Sequence, residues 1–389
     1  MRFNPWLSAG VLLFAALLMF ALTAQADVTA QETPVLADVN IYFTESALET
    51  SRFDRSDAGI SRFAGLLRQY GANLYTLEWR TGFPTDADLI VIAGPMNDLA
   101  PDQIARLWSY INNNGRVLLL ANPLPETTRG ALPATSGLFQ LMWADMGIRA
   151  LNDYILLEAP AAEGQSDSPE ATEEPGLILP PIVRFLTDDI SADHPITSDL
   201  GGDLAFYGAR SIEVDAGLQG FIVTPLVFSP PEFYGESNYV EFTRSGVLQY
   251  NIGADTSRGP LPIAAAFENP STNSRIVVIG DSDFARNGAG LQTSPRYSAG
   301  FIHPANARFL INAVTWLVER ETIDLSLPTP GPTASPTISP TPTIPPTPTG
   351  TLTAVPTFTP EPTTVQAEAT PDVEATPEAE ATPEAASGA

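Results

Sequence analysis

Two aspartates one residue apart are the side chains of this sequence best placed to do chemistry. Asp281 and Asp283 stand in the segment GDSDF, directly after the apolar run 276–279. Paired carboxylates at the end of a strand could hold Mg²⁺ or act as an acid and a base. They can equally cap a turn and nearby backbone amides, and no third ligand is fixed by spacing. We expect the capping role and no metal; a metal-dependent hydrolase built on this pair ranks third among the functional hypotheses.

Two asparagines follow other predicted strands. In open α/β sheets, ligands bind beyond the carboxyl ends of the strands. Asn97 lies in AGPMNDL, and Asn122 lies in NNNGRVLLLANP, each after an apolar run. Because Asn97 and Asp98 precede Pro101, we expect them chiefly to form a turn and a cap ahead of a helix. The two asparagines and the two aspartates are the four candidate ligand-binding residues, and no catalytic residue is assigned.

Absent residue types exclude several kinds of chemistry. The chain has no cysteine, and all 19 of its basic residues are arginine. It therefore lacks the nucleophile of a glutaminase, the lysine of a P-loop or Schiff base, and thiolate metal ligands. No G-x-S-x-G elbow is present, and His194 and His303 have no carboxylate at the spacing of a triad or a metal site. We predict a protein that is not an enzyme and needs no cofactor.

The strong negative charge narrows the choice of partners. Acidic residues number 45 against 19 arginines, which gives a formal net charge of −26. Binding to nucleic acid or to anionic lipid headgroups requires a basic patch that releases counterions. We therefore expect no nucleic-acid partner.

Three segments differ in composition from the rest of the chain. Residues 1–26 combine a charged start, the apolar run 6–22 and the small-residue pattern AQA, which predicts a signal peptide or an N-terminal membrane anchor. Residues 159–178 predict an acidic disordered loop, and residues 324–389 predict a Pro/Thr-rich disordered tail. Both alternatives for the N-terminus place the remaining chain outside the cytoplasm, in the cell envelope, the periplasm or the extracellular space.

Strand and helix patterns alternate between residues 35 and 323. A helix opened by Pro101 is predicted over 101–113, between the buried strands 88–92 and 117–121. The alternation predicts one exported α/β domain, with a mixed, mostly parallel sheet and flanking helices. The other predicted elements are strands 37–43, 73–77, 153–157, 204–207, 221–228, 246–250, 263–267 and 276–279, and helices 62–70, 136–146 and 305–318.

Four segments, taken in order, resemble the exported domain of the GldG-like, gliding-motility-associated auxiliary proteins of ABC transporters. They are DADLIVIAGPMNDLAPDQIARLWSYINNNGRVLLLANP, SADHPITSDL, SRIVVIGDSDFARN and NARFLINAVTWLVERE. The resemblance covers most of residues 35–322. It implies a flavodoxin-like or class I glutaminase-like fold and a non-catalytic role beside ABC permease and ATPase subunits. Family members usually carry a transmembrane helix after the exported domain, and here the tail replaces it, which argues against docking to a permease through a C-terminal helix. The chain is then a soluble or a singly anchored relative, and the N-terminal apolar segment is the possible site of membrane attachment.

An aromatic segment supports an alternative hypothesis. Phe228, Phe233, Tyr234 and Tyr239 cluster in FSPPEFYGESNYVEF and could stack on a sugar. Proline-rich loops that bear aromatic residues also serve as ordinary covers over a core. The alternative function is therefore an extracellular ligand- or carbohydrate-binding module that is not linked to a transporter.

Overall fold

A seven-stranded sheet forms the centre of the computed structural model, which describes residues 34–122, 132–158, 181–239, 248, 250–294 and 300–319. The predicted leader, the acidic loop and the tail lie outside the described residues, as does most of the predicted strand 246–250. The strands are β1 Asn40–Phe43, β2 Asn73–Thr76, β3 Leu89–Ala93, β4 Arg116–Leu120, β5 Ile148–Ala150, β6 Tyr154–Leu156, β7 Phe185–Thr187, β8 Leu204–Phe206, β9 Ile212–Val214, β10 Ile222–Phe228, β11 Tyr234–Glu236, β12 Pro262–Asn269 and β13 Ser274–Ile279. The helices are α1 Ser61–Gln69, α2 Pro101–Ile111, α3 Gly137–Met146 and α4 Pro304–Leu317.

The strand order of the sheet is β2-β1-β3-β4-β13-β12-β10. The first five strands pair in parallel, whereas β12 runs antiparallel to both β13 and β10. The mixed, mostly parallel sheet predicted from the sequence is thereby confirmed. Its parallel part follows the 2-1-3-4-5 order of flavodoxin-like folds.

Helices cover both faces of this sheet. On one face α1 and α4 bury Phe63 and Phe309 against alternate strand residues such as Val91. On the other face α2 and α3 bury Leu107 and Phe139 against the residues between them, such as Ile92. Every residue of β3 is buried, as expected for a central parallel strand covered on both sides.

Three short antiparallel pairs lie outside the central sheet. They are β5 with β9, β6 with β11 and β7 with β8. Four of these strands, β5, β7, β9 and β11, were not predicted, and each is three residues long. A strand this short carries too few residues for a periodic pattern, and its partner across the pair defines it.

A buried arginine joins one of these pairs to the central sheet. Arg210 is fully buried just before β9, and its Nε donates to the Leu151 carbonyl oxygen at 2.5 Å. Its Nη1 donates to the carbonyl oxygens of Asn122 at 3.0 Å and Leu132 at 2.7 Å. Its backbone N–H donates to the Gly280 carbonyl oxygen at 2.8 Å. One side chain therefore holds the ends of β4 and β5 and the segment before α3 in one arrangement.

We expect Arg210→Met to lower the free energy of unfolding by about 3 kcal/mol or more, because each buried carbonyl that loses its donor costs about 1–3 kcal/mol. Urea denaturation followed by circular dichroism measures the change. Arg149→Met is the control, because the Arg149 side chain is 34% exposed and pairs with Glu213 at 2.6 Å, so its loss costs about 1 kcal/mol or less. Equal losses in the two variants would contradict the role of Arg210.

Candidate functional site

The polar residues that follow β3, β4 and β13 meet at the carboxyl edge of the sheet. Ser282 Oγ is hydrogen-bonded to Asn122 Oδ1, and Asn122 Nδ2 donates to the Gly94 carbonyl oxygen at 3.4 Å. Gly94 has a φ of +66°, and a Cβ atom there would lie 3.0 Å from Ser282 Oγ. A residue with a side chain would be strained at this position and would press on the serine, so glycine permits the close approach.

Asp281 is completely buried and bonds to backbone groups. Its two carboxylate oxygens accept hydrogen bonds from the backbone N–H groups of Tyr207 at 2.9 Å and Asp283 at 2.7 Å. Burial and the nearby Asp283 carboxylate raise the pKa of Asp281, and the two N–H donors only partly offset this effect. Its contacts are those of a group that caps a strand end and anchors a neighbouring loop.

Asp283 has a different partner. Its Oδ1 pairs with Arg286 Nη1 at 2.5 Å, and its side chain is 32% exposed. The two aspartates thus bind separate groups, although one residue separates them in the chain. Within the described ranges, no group of three or more histidine or acidic residues could hold a metal ion.

Asn97 and Asp98 precede α2, and their side chains have different roles. Asn97 is exposed, its backbone N–H donates to the Ala47 carbonyl oxygen at 3.1 Å, and the structure gives its side chain no bond to Asn122 or the two aspartates. Asp98 accepts from the backbone N–H of Gly137 at 2.5 Å, which caps α3. The N-terminus of α2 is capped by Gln103, whose side chain accepts a hydrogen bond from the Ala100 N–H at 2.9 Å. Asp98 Oδ1 also accepts from the Leu99 N–H at 3.0 Å, in the turn ahead of α2 where the sequence placed it, whereas its bond to Gly137 joins a distant segment and had no sequence signal.

Tyr207 and His303 also lie at this edge, and no sequence pattern pointed to Tyr207 as a site residue. A hydrogen bond of 2.7 Å joins the Tyr207 hydroxyl to His303 Nε2, and the Arg184 guanidinium lies 5.5 Å from the Tyr207 ring. Burial lowers the pKa of His303, which favours its neutral form, and burial raises the pKa of Tyr207. The pair is a neutral hydrogen-bonded contact beside Asp281.

This architecture matches a known family. The family model described as an ABC-type uncharacterized transport system, auxiliary component, matches residues 40–313. The chain belongs to this family. The match begins at the first residue of β1 and ends within α4, so it spans the whole central sheet of the auxiliary protein. The resemblance carried by the four sequence segments is confirmed.

Solved structures show only distant similarity to the auxiliary protein. The mmIFT52 N-terminal domain is 13% identical with a TM-score of 0.45, over 74% of this chain and 100% of that domain. The exo-beta-1,4-mannosidase Op5Man5 from Opitutaceae bacterium strain TAV5 is 13% identical with a TM-score of 0.28, over 63% of this chain and 31% of the enzyme. No curated protein matches the sequence. Both structural similarities are too distant to bear on function.

Among the described residues, no helix combines the length and the apolar character that are needed to cross a membrane.

The contacts of the two aspartates predict unequal effects of substitution. Asp281→Ala should destabilise the auxiliary protein by about 2–4 kcal/mol, because two buried N–H groups lose their acceptor. Asp283→Ala should cost about 1 kcal/mol or less, since it removes a partly exposed ion pair. Thermal unfolding with and without MgCl₂ measures both effects, and we expect Mg²⁺ to add no stability. Stabilisation of the parent by Mg²⁺ that the double variant loses would instead establish a metal site.

The surroundings of His194 predict that the stability of the folded protein depends on pH. Its Nδ1 accepts a hydrogen bond from the Ile196 N–H at 3.2 Å, and its ring lies 5.1 Å from the ring of Trp316. Burial, and to a smaller extent the charge of Arg275, lowers the pKa of His194 from 6.5 to about 4. Between these values the unfolded chain binds a proton that the folded chain does not, so this contribution to stability is lost as the pH falls from 6.5 to about 4. His194→Asn keeps an acceptor and cannot titrate.

The measurement is the difference in unfolding free energy between the parent and the His194→Asn variant, taken by urea denaturation from about pH 7.5 to about pH 4.5. We expect the parent to lose stability relative to the variant across this range. Carboxylates titrate in both proteins and cancel in the difference. A difference that stays constant with pH would show that His194 does not titrate as its surroundings indicate.

Proposed function

We propose that the chain is a non-catalytic, extracytoplasmic accessory component that associates with an ABC-type transporter. The observation that carries this proposal is the family match over residues 40–313, which takes in the central sheet and nearly all of its covering helices. Family members of this kind act with a permease and an ATPase, so we expect the protein to contact one of these subunits.

The contacts at the carboxyl edge support a non-catalytic role. A catalyst needs a nucleophile, an acid or a base whose reactive atom can reach a substrate. Here Ser282 is 1% exposed and bonded to Asn122, Asp281 is fully buried against backbone amides, and Arg210 is bonded to carbonyl groups. Each of these three polar groups at the strand ends is used to hold the fold.

The N-terminal pattern supports a position outside the cytoplasm. A charged start, the apolar run 6–22 and the AQA pattern have the order of an export signal, and either cleavage or retention as an anchor leaves the domain on the far side of the membrane.

The aromatic segment gives the carbohydrate-binding alternative less support. Phe233 and Tyr234 are 3% and 0% exposed, and the Phe233 ring lies 4.7 Å from that of Phe185. Sugar recognition by stacking requires an exposed aromatic face, which these two rings do not offer. We therefore favour the transporter-linked role over a separate carbohydrate-binding module.

Site-specific cross-linking tests the proposal, and the composition of the chain suits it. Amine-reactive reagents would find no lysine, whereas a single introduced cysteine would be the only thiol of the chain. Leu186, Ile222 and Ile252 are 52%, 53% and 90% exposed, so a cysteine at each position can carry a photoreactive maleimide. Ala313→Cys is the matched control, because Ala313 is 0% exposed and cysteine is of similar size.

In cells of the native host, we expect at least one exposed cysteine to cross-link to an ABC permease subunit, identified by mass spectrometry together with any ATPase that co-purifies with it, and the buried control to give none. A maleimide that cannot cross the cytoplasmic membrane should label Ile252→Cys in intact cells. Cross-links only to wall polymer, or none from any exposed position, would overturn the association with a transporter. Labelling that requires cell lysis would overturn the extracytoplasmic position.

A further inference from the structure

A pocket lined by arginines lies beside the connection between β1 and α1. Its cavity measures about 370 Å³, and its lining residues are Arg52, Phe53, Arg55, Ser61, Arg62 and Arg68. Four of the 19 arginines of an otherwise acidic chain therefore share one cavity, and the lining includes no carboxylate. The family match and the strand-end residues provide no role for this cluster.

Arg52 forms the buried part of the pocket. The residue is 7% exposed, its Nη2 donates to Thr76 Oγ1 at 3.3 Å, and its guanidinium lies 4.0 Å from the ring centroid of Phe53. Its Nε is buried and has no hydrogen-bond partner within the described part of the chain. A buried donor without an acceptor is costly, and most such groups in native proteins are satisfied. Because Arg52 lines the cavity, a ligand that enters it can supply an acceptor to this donor.

Arg62 is held in a fixed position. Its Nη1 donates to the carbonyl oxygens of Asn287 and Leu291, the second at 3.0 Å. Its backbone N–H donates to Asn287 Oδ1 at 2.9 Å. A cation that the fold has already positioned loses little conformational freedom when it binds a ligand.

Arg55 and Arg68 complete the cluster at the surface, where both are exposed. Across the described ranges, none of the four arginines has a carboxylate at ion-pair distance. Burial lowers the pKa of Arg52, the charge of Arg68 lowers it further through repulsion between the two cations, and the charge of Glu45 opposes both effects. Repulsion among cations in one cavity is relieved when an anion binds between them.

We propose that this pocket binds the phosphate group of a ligand. Arginine presents a planar fork of N–H donors that matches the oxygens of phosphate and carboxylate. A phosphate group offers more acceptor oxygens and more negative charge than a carboxylate, so it can satisfy several guanidinium groups at once. Phe53 is 60% exposed at the same pocket and offers an apolar surface beside the phosphate position.

Calorimetric titration of the full chain with inorganic phosphate at low ionic strength tests the proposal. We expect one saturable site that binds phosphate more tightly than acetate and weakens with added NaCl. Arg55→Gln and Arg68→Gln should each weaken phosphate binding about tenfold, the loss expected for one charge-assisted hydrogen bond. Both residues are exposed, so the variants should fold, which circular dichroism checks. Arg80→Gln is the matched control, because Arg80 is also exposed but lies outside the pocket lining.

The titrations of the parent and the three variants either overturn or establish the phosphate site. No saturable phosphate binding, or an equal loss in Arg80→Gln, would overturn the site. Binding that the two pocket variants lose and the control keeps would establish it.

Sedimentation with phosphatidylglycerol vesicles then separates two sources of the phosphate. Vesicle binding that inorganic phosphate displaces would assign a lipid headgroup, and phosphate binding without vesicle binding would assign a free phosphorylated ligand. The test is independent of any transporter partner, so its outcome leaves the proposed function to be judged by cross-linking.

Discussion

The buried guanidinium of Arg210 is the interaction on which the carboxyl edge of the sheet depends. Removing an arginine from water costs several kcal/mol, and the carbonyl oxygens of Asn122, Leu132 and Leu151 offset that cost. Burial lowers its pKa to about 10, so the group stays charged at neutral pH. Because its bonds go to three separate segments and its backbone N–H binds Gly280, one cation fixes β4, the segment before α3 and β5 relative to β13.

The same neighbourhood explains why the end of β13 offers no open site among the described residues. Residues 207–211, which connect β8 to β9, lie across the carboxyl edge of β13 and are tied down at several points. Asp281 accepts from the Tyr207 N–H, and Asp153 accepts from the Ser211 N–H at 2.8 Å. In flavodoxin-like sheets this edge commonly receives a ligand. Here a segment of the protein's own backbone takes up the hydrogen-bonding groups that a ligand would use.

Sequence patterns predicted the elements whose signal is local. The ends of β3, α2 and β4 fall within two residues of their predicted positions, because apolar runs and helical periodicity are contained in each element. Contacts made over long sequence separations escaped prediction. The strand-end positions of Asn122 and Asp281 follow from parallel topology, whereas Arg210 reaches the same edge from a loop with no periodic pattern. The bond by which Asp98 caps α3 escaped prediction for the same reason.

Net charge says little about any single site, because it averages over segments of different kinds. The segments 159–178 and 324–389 contain five and eight acidic residues, respectively, and no basic residue. Together they carry half of the net charge of −26. At physiological ionic strength, charges are screened beyond roughly 8 Å. An anion at the arginine pocket would therefore respond to the four guanidinium groups that line it and to nearby carboxylates such as Glu45, whose charge acts on Arg52, rather than to the distant segments. Exclusion of anionic partners from total charge holds for a uniformly acidic surface, and the grouping of Arg52, Arg55, Arg62 and Arg68 makes this surface locally basic.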